Sequence, residues 1–416
     1  MPRLLAQQNQ AVAAHRSAGL LSFFGNGVTG NVTGGPAERP AGAPCAETTS
    51  VRESRRVGAR AKEDIVNGKT DTLRVGIVGA GANTRKYHIP NLRAQPGVEI
   101  VSVANRTRES GERAAKELGF ARVYDTWREL VEMDDTNAIC IGTWPYLHAP
   151  VTIAALARGK HVLCEARMAM NAAEAHAMLE ASRRAPHLVA QLVPAPHTLW
   201  VDATLQSLIA DGYLGDVLAV EVRATQGKFV DREAPLHWRQ DQSLSGFNIL
   251  NMGIWYEAMM RWVGPAARVS AMTSVAVPKR RDGSGVTKQV TVPDHVDILV
   301  DLERGGIGHL RFSAVTALAP ASEVWLFGTE GTLRVEADAL KLWGGRRGTT
   351  ALSEIPITAE RRGGWRVEEE FVNAVRGKER ITRTAFDDGV RYMEFTEAVA
   401  RSAARGETVR LPLTLA

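Results

Sequence analysis

Two glycines, Gly79 and Gly81, sit in the run GAGANT directly after a short apolar stretch, Leu73 to Val78. The first glycine of such a turn permits a tight reversal, and the second lets the backbone approach a pyrophosphate. Amides opening the next helix would face the phosphates, which marks Gly79, Gly81, Ala82, Asn83 and Thr84 as a dinucleotide-binding loop. Thr84 stands where a third glycine or alanine is usual. The next apolar run ends in ANRTRES, with Asn105 and Arg106 at its tip. An NAD site places a carboxylate there for the ribose 2′-hydroxyl, and this tip has none. Arg106 offers instead a planar fork of donors that matches a phosphate. The expected cofactor is NADP(H) ahead of NAD(H).

These residues need a scaffold, and the apolar pattern supplies one. Short apolar runs at Leu73 to Val78, Val98 to Ala104, Ala138 to Trp144, HVLCEA and LVAQLVP read as buried parallel strands. Helical stretches separate them, such as Glu109 to Leu118 and NAAEAHAMLEASRRA. The alternation predicts a doubly wound α/β Rossmann domain over 73–196. Beyond it, runs such as DVLAVEVRATQG, VTVPDHVDILVDLE and EVWLFGTEGTLRVEA alternate apolar and polar residues. They predict an α+β domain over 197–416, built on a large open-faced, mostly antiparallel sheet. Residues 1–72 carry a Gly-, Pro- and Thr-rich stretch with few large apolar groups, and are expected to be a flexible extension.

Composition narrows the function. The chain has 416 residues, 44% hydrophobic and 23% charged, ordinary values for a globular protein. The net charge of +5 is scattered and forms no basic stripe, so no nucleic-acid partner is expected. No apolar stretch approaches a membrane span, and a cytoplasmic location is the default. Cys45, Cys140 and Cys164 lack metal-ligand spacing. In PDHVD, strand alternation puts Asp294 and His295 on opposite faces, so no metal is expected.

Several stretches taken together resemble the glucose-fructose oxidoreductase / inositol dehydrogenase (Gfo/Idh/MocA) family. RVGIVGAG…HIPNL, VANRT and GTWPYLHAPVTIAALARGKHVLCEARMAM are similar to its N-terminal domain. GYLGDVLAVEV, LHWRQDQSLSGFNILNMG, VWLFGTEGTLRV and SAARGETVRLP are similar to its C-terminal domain. The resemblance implies an NAD(P)-dependent oxidoreductase acting on a hydroxyl or carbonyl of a sugar, cyclitol or similar small polar molecule, assembled as a homodimer or homotetramer. It implies further cofactor contacts from Thr143, Trp144, His148 and Glu165, and substrate contacts from Trp238, Arg239, Asn251 and Trp255.

The family's chemistry is altered here. Its Glu-Lys-Pro motif falls on Glu165, Ala166 and Arg167, so the lysine is absent. Its aspartate and histidine fall on Asn251 and Trp255. Losing a positioned acid or base typically costs about 10²–10⁴-fold in rate. Candidate replacements in the same segments are Tyr256, Glu257, His237 and Arg167. Tyr256 would protonate an alkoxide and Arg167 would stabilise one, although the Met and Trp stripe around Tyr256 equally fits core packing. Alternatives on the same scaffold are a catalytically silent NADP-binding or sensing protein and a non-redox, elimination-type enzyme.

Overall fold

The computed structural model describes residues 72–414. The expected extension over 1–72 lies outside the described residues except for Thr72, and so does Cys45.

The first half forms a six-stranded sheet in the order β3-β2-β1-β4-β5-β6. Its strands are β1 (Leu73–Val78), β2 (Val98–Ala104), β3 (Arg122–Tyr124), β4 (Ala138–Ile141), β5 (His161–Cys164) and β6 (Ala190–Leu192). All neighbouring pairs are parallel. That order is the doubly wound arrangement in which ligands bind beyond the carboxyl ends of β1 and β4. Two short differences from the sequence expectation bear on the site. The strand expected to run to Trp144 stops at Ile141, which frees Gly142, Thr143 and Trp144 to form a loop. The edge strand β3 carries no apolar run and was not expected.

The second half is a nine-stranded mixed sheet. Its central strand β7 (Val217–Gly227) pairs in parallel with β10 (Ile307–Ala317) and antiparallel with β11 (Glu323–Gly328). Beyond β10 lie β9 (His295–Leu302) and β8 (Ala266–Ser274), both in antiparallel pairings. Alternation is clean: along β9, Val296, Ile298, Val300 and Leu302 are buried while Leu299 is exposed. The buried face packs against helices Met252–Val263 and Phe386–Arg405, whose Tyr256, Met259, Tyr392 and Phe395 are in the core.

One late helix, Val367–Val375, joins the first half. Its Val367, Phe371 and Val372 are buried in one cluster with Val75, Ile77, Leu92 and Val103. No helix of the described residues is long and apolar enough to cross a membrane.

Candidate active site

The loop after β1 is shaped by what its glycines make room for. Gly79 has φ 89°, and a Cβ there would meet Thr143 Cγ2 at 2.8 Å. Gly81 is exposed, and a Cβ on it would meet only the Gly142 carbonyl oxygen, at 3.6 Å. Its outer face is therefore open, as a pyrophosphate requires. Thr84 is buried and donates from Oγ1 to the Gly79 carbonyl at 3.0 Å. A side chain on Gly142 would overlap that hydroxyl. The close helix-to-strand approach usually provided by a third glycine is provided here by Gly142 on the opposing loop. At the tip of β2, Asn105 accepts from the Ala80 amide at 2.8 Å and donates to Ser110, tying the two loops together. Ala82 and Asn83 are exposed at the mouth, and Thr143 Oγ1 is buried with no partner among the described residues. An open glycine cradle and an orphaned hydroxyl fit a dinucleotide.

Glu165 follows β5 and is firmly held. Its Oε1 accepts from Asn83 and from His88 Nε2, the latter at 2.9 Å, and Oε2 accepts from the Ala166 amide at 3.0 Å. His88 is fully buried, and its Nδ1 meets Glu368 of the late helix at 2.6 Å. Burial opposes its charge, but the two carboxylates outweigh it and raise the imidazole to about 9. Burial likewise opposes the Glu165 charge, and His88 with Asn83 reverses the sign, leaving the carboxyl below its usual value.

Arg167 comes next. It is 2% exposed, and its Nε and Nη2 have no partner among the described residues. Its aliphatic stem fills the notch at Gly253, where a Cβ would stand 3.0 Å from Arg167 Cδ. Burial, and then the charge of Arg239, push its guanidinium down to about 9, so it is charged at neutral pH. Trp144 and Trp238 stack at 5.6 Å with 14° between their planes. Arg106 lies over the Trp144 ring at 5.3 Å and Arg239 over the Trp238 ring at 4.1 Å.

The structure thus brings Trp144, Trp238, Arg239, Glu165 and Arg167 to one junction with the glycine loop. It places other expected residues elsewhere. Tyr256 is fully buried, stacks on Phe395 at 3.6 Å, and its Oη accepts from the Ala266 amide at 2.9 Å. It is a core residue and does not reach a substrate. Glu257 is also buried: it accepts from the Ala195 amide, Thr384 and Arg261, which makes it a structural anchor. His148 is buried between the carbonyls of Arg167 and Thr143, at 2.8 and 3.0 Å, and positions both loops without contacting the cleft. His237 is exposed but accepts from the Arg239 amide at Nδ1, which puts the neutral ring's proton on Nε2. It therefore presents no free lone pair to take a proton. Asn251 precedes helix Met252–Val263 without using its side chain to cap it. Trp255 is buried, with Nε1 unpartnered, and stacks on His197 at 5.3 Å.

Sequence reasoning missed His88 and His197. The HIPNL run that holds His88 carries only a family resemblance. Its role depends on Glu368, 280 residues away in the sequence, and no local pattern reports such a contact. His197 lies just past the last Rossmann strand and shows no spacing signal.

Known proteins match this arrangement. Residues 73–191 match the model of an oxidoreductase family with an NAD-binding Rossmann fold, and residues 203–334 match the GFO/IDH/MocA C-terminal domain. The chain is 27% identical to levoglucosan dehydrogenase of Pseudarthrobacter phenanthrenivorans over 268 residues, 58% of this chain and 67% of the relative. It is 28% identical to 1,5-anhydro-D-fructose reductase of Ensifer adhaerens over 360 residues, 81% of this chain and 98% of the relative. A solved oxidoreductase domain protein from Kribbella flavida shares the fold with a TM-score of 0.74 at 24% identity, over 83% of this chain and all of that one. With both halves matched in order, the chain belongs to the Gfo/Idh/MocA family of NAD(P)-dependent oxidoreductases.

Proposed function

We propose that this protein moves a hydride between a nicotinamide dinucleotide and a carbinol or carbonyl carbon of a sugar, cyclitol or similar polar molecule. The observation that carries this reading is the buried guanidinium of Arg167, without a partner among the described residues and one residue past Ala166, which stands at the family's lysine. Gly79, Gly81 and the amides up to Thr84 would hold the phosphates, with Thr143 and Glu165 lining the way to Arg167. Bound there, the dinucleotide supplies the hydride acceptor or donor. Arg167 supports negative charge on the reacting oxygen, as a fixed donor in a poorly solvated site does. It keeps its own proton, because arginine stays charged, so the substrate's proton passes to and from solvent. Sugar-like substrates are supported by the named activities of the two relatives and by the Trp144–Trp238 wall, since indole faces suit the apolar face of a sugar ring.

NADP(H) is the cofactor this reading favours, on the acid-free tip at Asn105 and the exposed Arg106. To meet a 2′-phosphate, Arg106 leaves the Trp144 ring. A dimer or tetramer is also part of the reading. Leu218, Met272, Leu299 and Ile307 project 55–80% exposed from four adjacent strands of the sheet, and exposed apolar side chains grouped in this way suit an interface between copies.

The test is a titration of cofactor-stripped protein with NADPH and NADH, followed by tryptophan quenching. Selective NADPH binding that falls roughly 10-fold in Arg106→Ala is expected, from the loss of a charge-assisted pair. Equal affinities before and after the substitution would overturn the NADP assignment. Binding of neither nucleotide would overturn the redox reading.

A further inference from the structure

Other inward-facing arginines among the described residues find acceptors for at least one end of the guanidinium, although Nε of Arg280 is left without one. Arg261 is paired with Glu257 and Asp202, and Arg280 donates from Nη1 to the carbonyls of Asp231 and Ala234 at 2.9 and 2.8 Å. Arg167, more deeply buried than either, has no such partner among the described residues. Arg239 lies over the Trp238 ring and makes no ion pair among the described residues, yet its charge acts on Arg167. The carboxylate in the neighbourhood, Glu165, is already taken by His88, Asn83 and the Ala166 amide. Two positive charges therefore face one junction, and among the described residues no carboxylate contacts either guanidinium; Glu165 acts on Arg239 only from a distance. An unpaired buried charge is costly, and that cost is relieved only when a ligand brings the counter-charge. The stem of Arg167 is fixed by Gly253, while Arg239 rests on an aromatic surface, so one fork is rigid and the other adjustable.

We propose that the substrate is an acid, a sugar-like molecule whose carboxylate is gripped by Arg239 while its reacting oxygen lies on Arg167. A carboxylate is planar and meets a guanidinium in two parallel hydrogen bonds. This rests on the redox reading above, but its binding half stands or falls separately.

The test uses the full-length protein with saturating NADPH or NADP⁺. Calorimetry compares D-glucuronate, D-galacturonate and D-gluconate with the neutral D-glucose, D-galactose and sorbitol, and absorbance at the nicotinamide band follows turnover of each. At least one acid is expected to bind roughly 10- to 100-fold more tightly than its neutral counterpart, the range a charge-assisted pair supplies. Arg239→Gln, at an exposed side chain, is expected to abolish that preference while leaving cofactor affinity unchanged. Neutral sugars binding as well as acids, no binding of any acid, or a preference untouched by Arg239→Gln would each overturn the proposal. Acid binding without any nicotinamide absorbance change would uphold the acid site and sink the redox reading. Turnover of neutral sugars alone would do the reverse.

Discussion

Where the family carries an amine this chain has Ala166, and the guanidinium of Arg167 follows one residue later; the two groups differ in what they do with a proton. Lysine can give one up, whereas arginine holds it and acts only through its charge. Arg167→Ala is therefore expected to lower turnover by about 10²–10³-fold, the usual loss for a preorganised donor to a developing oxyanion. Cofactor affinity should hold, and Arg167→Lys should retain most of the turnover. Steady-state kinetics alongside nucleotide titration separates these outcomes. Tyr256 provides the contrast. Its hydroxyl serves the Ala266 amide and its ring serves Phe395, so Tyr256→Phe should leave turnover unchanged. Denaturant unfolding should show a loss of about 1–3 kcal/mol, the cost of a buried amide left without a partner. The residue types WYE in sequence offered both readings of Tyr256. The choice between them depended on which side of the helix met the sheet, which spacing within one helix does not report.

Helix Met252–Val263 carries much of the site through a residue that has no side chain. Adding a methyl at Gly253 would crowd Arg167 Cδ at 3.0 Å and Thr396 Oγ1 at 3.3 Å. In a helix interior, Gly→Ala by itself stabilises by up to about 1 kcal/mol, and Gly253, second residue of its helix, would gain less. Gly253→Ala is thus expected to leave the melting temperature near its original value while turnover drops on the order of 10-fold or more, because the guanidinium is pushed out of register. A parallel loss of both would assign Gly253 to packing alone. At this scale most elements were legible. Val98–Ala104 and His161–Cys164 are apolar runs long enough to announce themselves. Arg122–Tyr124 did not, because a three-residue edge strand buries too little to leave a pattern. The loop at Gly142 was read as strand because its apolar neighbours continue the run. Thr84 packs so close to Gly142 that a Cβ there would overlap its hydroxyl, a constraint between segments far apart in sequence.

Over the whole molecule, His88 ties three distant segments together through Glu165 and Glu368. Its imidazole is raised from 6.5 to about 9 in the folded protein. The folded state therefore binds the proton more tightly than the unfolded chain, and that advantage is complete below about pH 6.5. It fades as pH rises through about 9, a loss on the order of 3 kcal/mol for a shift of this size. Urea midpoints of the parent protein are expected to fall between pH 6.5 and 9.5, and those of His88→Gln to stay flat over that window. A parallel decline in both would show that other groups dominate the alkaline limb. The helix that brings Glu368 to His88 also brings Phe371 into the core beneath β1 and β2. A ribosome releases Val75 and Ile77 long before Phe371, so the nucleotide-binding half emerges with its core unsealed. It must wait for nearly the whole chain before that gap closes. Synthesis halted after the sixth strand should leave a sticky, protease-sensitive fragment, and any attempt to express the first half by itself needs Val367–Val375 supplied as a second piece.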